Sequence, residues 1–525
     1  MRWGTLAALC LAVSCSAALS LVVVDAIADD GATPGRAGAV DRDSVQPEGA
    51  SRAIDAMRKA AGYYHGTVQS HGGYVYHYAL DLQKRWGEGE ASKDQIWVQP
   101  PGTPTVGMAY LDAWSATGDA FYRQAALDAG HAIVYGQLKS GGWTNAIDFD
   151  PSGGRVAAYR NGRGRGRDHS TLDDGISQSA MLFLIRLDEA VDRSDTSVHG
   201  AVQIALKSLV AAQLPNGGFP QVWTSDPPLR DQQAAAGVSA SYPKYDWRTE
   251  NHVKEYWNHA TLNDNVCGYV AQVLIEAHRV YGDQRYLASL KRLGDFMLLA
   301  QMPLPQPGFA QQYSKEMHPA WARKFEPPAM ASDETQEAIA TLILIAETTG
   351  QPKYLQGIPA ALQWLGKSRL PDGSLARYYE LQTNRPLYMN RNGKRYFLTY
   401  DDSDLPRHYG WKIDWKVDAL TKSYRRAVQG MASPVDQGRV DQGSTDQGSA
   451  EQGTRPLDSV SRSGLQKQAA EVIDAMDSSH RWVDRFDGRR LVGQMKLPVG
   501  TEYLSSETFA NNLTLLSRWV SASKP

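Results

Sequence analysis

The sequence predicts an all-α fold: an (α/α) toroid or barrel of repeated helical hairpins with long cleft-forming loops. Three observations predict it. Apolar residues recur three and four apart in paired segments, as on the buried face of an amphipathic helix. Each pair closes on a turn rich in glycine or proline, which stops a helix. The pair then returns at intervals of tens of residues, the pattern of a solenoid or a closed ring of hairpins. Long second helices, and polar and aromatic loops after each pair, favour a closed ring with its cleft at one end.

The chain opens on "MRWGTLAALCLAVSCSAALSLVVVDAIA", one early arginine and then an apolar run to about Val24. Residues 1–28 read as a secretory signal peptide, so the protein is expected to be secreted, periplasmic or surface-attached. An uncleaved anchor is the competing reading, because the run is barely long enough to span a membrane. Cys15 follows a small residue and invites lipidation, although Ala12 and Val13 match a lipoprotein box poorly. Past this segment Cys267 is the one cysteine left, which excludes an intramolecular disulfide and leaves stability to a large core. Residues 29–50 are Gly-, Asp- and Ala-rich without periodicity, a flexible leader. The remainder, 51–525, reads as one catalytic domain.

The first hairpin starts near Thr103 and ends on "KSGGW"; the second runs from "STLDDG" to "PNGGFPQ". A third starts at "ATLNDN" and ends on "MPLPQPGFAQQY", and a fourth runs from "ETQEAIATLILIAETTGQ" to "RLPDGSLARYY". Two stretches interrupt the pattern. Thr224 to Trp257 is a long irregular insertion, the kind that forms lids and binding walls. Residues 433–456, with their repeated D-Q-G, read as a disordered insertion. A helix from Gly464 is expected to be the last.

Hydrophobic residues make up 42% and charged ones 21%, a soluble and globular balance. The net charge of −2 offers no global field for nucleic acid, and a monomer with no nucleic-acid partner is expected. Chemistry must come from local groups. Asp173, Asp174, Asn263, Asp264 and Asn265 fall at or just inside helix N-termini, where Asp and Asn commonly cap orphan N–H groups. The same oxygens, at equivalent places in successive repeats, also suit a hard cation such as Ca²⁺. Arg323, Arg377 and Arg391 lie on loops after related hairpins, and guanidinium forks match carboxylates in a way lysine does not. Arg323 stands in "MHPAWARKFEPPA", between Trp321 and Phe325 with Glu326 and two prolines following. "RNGRGRGRDH" from Arg160 adds a basic loop whose glycines suggest mobility. Trp143, Phe219, Trp223, Trp247, Trp257, Tyr378 and Tyr379 either stack on sugar rings or pack the core.

Taken together, "STLDDG", "QLPNGGFPQ", "ATLNDNV", "GFAQQY…PAWARKFEPPA" and "ARYYELQTNRPLYMNRNG" resemble the family 10 polysaccharide lyases, the pectate lyases, from about Gly141 to Arg395. The resemblance implies an (α/α)₃-type toroid and calcium-dependent cleavage of polygalacturonate by β-elimination, giving unsaturated oligogalacturonides. It implies that Arg323 takes the C5 proton, that Asp264 is the calcium ligand, and that Asp173 is a second cleft aspartate toward substrate. It assigns Arg377 and Arg391 to substrate carboxylates. Phe219 stands where the family usually has Trp, and the 224–257 insertion where its loop is short. An arginine base further requires positive surroundings and a rigid loop, because its free pKa exceeds about 12. The rival readings are another α/α-barrel carbohydrate enzyme, a uronan hydrolase or epimerase, and a non-catalytic glycan-binding protein. A hydrolase would need two carboxylates about 5–10 Å apart, and Asp173 with Asp264 are its candidates.

Overall fold

The computed structural model describes residues 46–225, 236–249, 253–432 and 462–524. Residues 1–28, most of the leader and 433–456 lie outside them. Twelve α-helices occur among the described residues: α1 (Gln46–Tyr63), α2 (Thr103–Thr117), α3 (Ala120–Tyr135), α4 (Ile176–Ala190), α5 (Thr196–Ala212), α6 (Val266–Tyr281), α7 (Gln284–Ala300), α8 (Ser332–Thr349), α9 (Ile358–Lys367), α10 (Val417–Ala432), α11 (Arg462–Asp474) and α12 (Ser506–Ala522). The fold is all-α, of the helical-hairpin type that builds α/α toroids. Its described residues divide into two compact units, one of 94–100 and 130–432, the other of 46–93, 101–129 and 462–524.

In the first unit α4 and α5, α6 and α7, and α8 and α9 form the successive hairpins. Their turns follow from single residues. Asp195 caps α5 by accepting from Ser197 N and Val198 N, Gly282 ends α6 at φ 66°, and Asp283 caps α7. Leu184, Leu206, Leu274, Leu293 and Ile343 are essentially inaccessible to solvent, and each such side chain contributes about 1.5–3 kcal/mol by burial. The paired glycines of "NGGF" have a packing reason. A Cβ on Gly217 would lie 2.3 Å from the Arg292 carbonyl oxygen, and φ there is +93°. The turn is pressed onto α7, so glycine is required.

Short antiparallel strands, which helical periodicity does not announce, stitch the loops together. Ser170–Thr171 pairs with Val222–Trp223, and Ala260–Thr261 with Gln312–Tyr313. Each ties the segment entering one helix to the loop that follows its hairpin. A five-stranded sheet includes Phe309–Ala310, Met330–Ala331, Tyr378–Tyr379 and the hairpin of Pro386–Asn392 with Arg395–Thr399.

The second unit holds α1, α2, α11 and α12 beside a small sheet in which Glu502–Ser505 pairs with His77–Ala79. Tyr64 stacks on Phe509 at 3.9 Å between centroids, and burial pushes the His77 imidazole down to about 4. Two expectations need correction here. The helix from Gly464 is not the last, since α12 follows it, and α1 begins at Gln46 inside the segment read as a flexible leader. Polar residues in both stretches masked the apolar stripe.

Candidate active site

The two acidic motifs are built alike, atom for atom. In the first, Leu172 N donates to Gln221 O at 2.8 Å, Thr171 Oγ1 donates to the same oxygen at 3.3 Å, and Asp173 N donates to Thr171 Oγ1 at 3.1 Å. In the second, Leu262 N and Thr261 Oγ1 donate to Gln311 O at 2.8 and 3.3 Å, and Asn263 N donates to Thr261 Oγ1 at 3.1 Å. Each threonine thus aims its motif into a short 3₁₀ turn, Asp173–Gly175 or Asn263–Asn265, directly ahead of α4 or α6. Asp174 and Asp264 occupy equivalent places and share a left-handed backbone, φ 47° and 51°. For a non-glycine residue that conformation is costly, about 1–3 kcal/mol, and persists where the surroundings enforce it.

The geometry decides between capping and clustering. No side chain caps either 3₁₀ turn or the helix after it. Instead Asp173, Asp174 and Asp264 converge, one carboxylate oxygen from each lying within 4.8 Å of the others. Gln99 Nε2 donates to Asp174 Oδ2 at 2.9 Å, and Asn263 Nδ2 donates to Asp264. Asp173 Oδ1 is buried with no hydrogen-bond donor. Burial, then the charges of Asp174 and Asp173, hold the Asp264 carboxyl well above the usual carboxylate range. Three partly buried carboxylates aimed at one point, one oxygen lacking any donor, fit a hard divalent cation better than they fit one another.

Arg323 is buried, and its loop is fixed by contacts that sequence alone did not show. Glu326 accepts from Arg323 N at 3.0 Å and Nε at 2.7 Å, and its other oxygen lies 2.6 Å from a terminal guanidinium nitrogen. Trp321 Nε1 donates to Trp247 O at 2.7 Å, and Val253 N to Ala322 O at 3.4 Å, so the described part of the 224–257 insertion packs on this loop. Gln311 and Tyr409 complete the ring around Glu326 at 3.3 and 3.2 Å. The Glu326 fork and the buried Trp321 indole hold the loop in place. Among the described residues the groups that act most on the Arg323 charge are acidic, not the positive surroundings expected. Burial opposes the charge on Arg323, but Glu326 more than offsets it and holds the guanidinium well above its ordinary pKa. Tyr256, in the same insertion, faces this group: burial first, opposed by Arg323 and helped by Glu326, Asp173 and Asp264, pushes its phenol up to about 12.

The other two arginines part company. Arg377 is buried, its Nε donating to Gly410 O at 2.6 Å and its terminal nitrogens 3.4 Å from Asp333 and 3.7 Å from Glu334. Its guanidinium lies 4.9 Å from the centroid of the Tyr409 ring. Burial pushes Glu334 up to about 7 against the pull of Arg377, and Glu334 Oε2 has no partner. Arg391 is exposed on its strand and in no ion pair among the described residues. Of the seven aromatic residues, Trp143, Phe219, Trp223, Trp247, Tyr378 and Tyr379 are buried and pack the interior; Trp257 alone is partly accessible. Sequence reasoning passed over Glu326, Gln99 and Tyr256 as site residues. It also missed Asp333 and Glu334, although "SDET" repeats the register of "LDDG" and "LNDN".

With this geometry in hand, residues 137–375 match the family model described as pectic acid lyase. The match spans 239 of the 525 residues, 375 − 137 + 1. The protein is a polysaccharide lyase. Among solved structures it is similar to the family 10 polysaccharide lyase from Cellvibrio cellulosa, with 21% identity over 62% of this chain and 97% of that one and a TM-score of 0.42. A mutant of that lyase in complex with trigalaturonic acid gives 20% identity, 63% and 98% coverage and a TM-score of 0.42. A family 76 glycoside hydrolase (mannosidase) from Bacteroides thetaiotaomicron gives 12% identity over 90% of this chain and 98% of that one, with a TM-score of 0.43. No curated protein matches the chain.

Proposed function

We propose that the lyase is a calcium-dependent pectate lyase that cleaves polygalacturonate by β-elimination. The observation that carries the reading is the convergence of Asp173, Asp174 and Asp264 within 4.8 Å at a site that also faces Arg323. Calcium held by these aspartates would bind a substrate carboxylate and neutralise charge that develops beside C5. Asp173 would also face the substrate, Arg391 would pair with a uronate carboxylate, and Arg377 would act from behind the cleft wall.

The chain's own groups have definable tasks. Removal of the C5 proton is assigned to Arg323, whose buried fork is held in one orientation by Glu326. A guanidinium is charged in this pairing, so it must shed a proton before it can accept one. That proton is lost to solvent, and the pairing with Glu326 makes its loss rare below alkaline pH. The C5 electron pair then forms the C4–C5 double bond as the C4–O bond breaks; the departing oxygen takes a proton from solvent water, and Arg323 later gives up the C5 proton to solvent. Orientation of so weakly available a base supplies much of the barrier reduction.

A hydrolase reading is less well supported. Its two carboxylates flank the scissile bond, whereas three here converge on one point and one of their oxygens has no donor, an arrangement that suits a cation. The test is polygalacturonate with calcium. The expected product absorbs in the ultraviolet as an unsaturated uronate, and chelator abolishes it. New reducing ends without that absorbance would mean hydrolysis and overturn the proposal.

A further inference from the structure

The basic loop "RNGRGRGRDH" is unused by the chemistry above. Two of its glycines, Gly164 and Gly166, serve close packing, which is a correction to the mobility expected of them. A Cβ on Gly164 would lie 1.9 Å from Ala157 O, and one on Gly166, at φ +143°, 2.5 Å from Val156 O. Ala158 N donates to Arg167 O at 3.2 Å, and Arg163 N to Asn161 Oδ1 at 2.9 Å. The loop therefore doubles back on residues 156–159 and keeps its shape.

What it presents is charge. Arg160, Arg163, Arg165 and Arg167 are all exposed, and none is in a salt bridge among the described residues. The neighbouring acid is turned away: Asp168 accepts from Ser140 N and Oγ at 2.8 and 2.7 Å and from Ser225 N at 3.1 Å. A dense, unneutralised arginine row on a chain of net charge −2 is a surface for a polyanion. From Arg167 the chain reaches Asp173 within a span of at most about 20 Å. One polymer strand can thus engage both places.

We propose that Arg160–Arg167 is a second binding surface for acidic polysaccharide, holding uronate units beyond those being cleaved. The inference rests on the substrate class proposed above. Each exposed arginine contributes weakly and is screened by salt, so the surface acts through the number of charges along a long chain. It should matter for polymer and not for a trimer.

The test compares wild type with R163Q/R165Q/R167Q, none of whose side chains has a hydrogen bond to lose, with circular dichroism as the folding control. In native gels containing polygalacturonate, the wild type should be retarded strongly at low salt and the variant several-fold less. KM on the polymer should rise several-fold, while kcat and KM on trigalacturonate stay unchanged. Equal retardation of the two proteins, or an equal KM change on trimer and polymer, would overturn the inference. Loss of retardation by duplex DNA with polygalacturonate retardation intact would overturn it in favour of nucleic acid. Arginine-dependent retardation by polygalacturonate in a protein that does not cleave it would support the surface while removing the proposed reaction.

Discussion

Arg323 shows what a single residue discloses and what it withholds. Its place between Trp321 and Phe325 marked it in the sequence, but the buried Glu326 fork depends on how the loop closes, through Glu326 N to Arg323 O at 2.9 Å. Because Glu326 holds the guanidinium well above its ordinary pKa, a base at this position is neutral only rarely, and activity should climb toward alkaline pH beyond the histidine range. Arg323→Lys should lower kcat by about 10²-fold or more with little change in KM, since the group acts in the transition state. Near-normal turnover in a folded Lys variant would remove Arg323 from the reaction. Glu326→Gln gives a sharper check. Loss of the carboxylate lowers the Arg323 pKa, so the alkaline limb of kcat should move to lower pH, while the unpaired buried cation costs about 3–5 kcal/mol in chemical denaturation. A limb that stays in place would show that Arg323 is not the titrating base.

At the scale of elements, the helical hairpins were legible because apolar spacing and Gly or Asp punctuation act locally. The short strands were not, since Ser170–Thr171 gains its partner only when Val222–Trp223 arrives from beyond a whole hairpin. The same distance hid the difference between Arg377 and Arg391, which read alike as loop arginines. Arg377 lies under the head of α8, against Asp333 and Glu334, where it neutralises buried carboxylates. Arg377→Lys should therefore destabilise the fold by about 2–4 kcal/mol, because the buried acids lose their fork. Arg391→Lys, on an exposed strand, should leave thermal stability unchanged and raise KM for polygalacturonate. Equal stability of the two variants in calorimetry would contradict this division.

For the whole molecule, the candidate calcium site couples stability to pH. The Asp264 carboxyl is raised, so the folded state keeps a proton that the unfolded chain releases in the ordinary carboxylate range. That contribution is complete below the unfolded pKa and is lost as pH rises through the folded value. Calcium should reverse the trend by binding the ionised cluster, so its increment in melting temperature should be larger at pH 8 than at pH 5. An increment independent of pH would mean the three aspartates do not hold the ion. The repeat itself was visible in "STLDDG" and "ATLNDN", but their convergence needed both threonine-anchored turns folded side by side. The most direct test of the account is the calcium dependence of the initial rate on polygalacturonate for wild type and Asp264→Ala. The account predicts that the variant loses most activity at a calcium concentration saturating for the wild type, and that excess calcium restores part of it. A variant that retains full activity in chelator would contradict it.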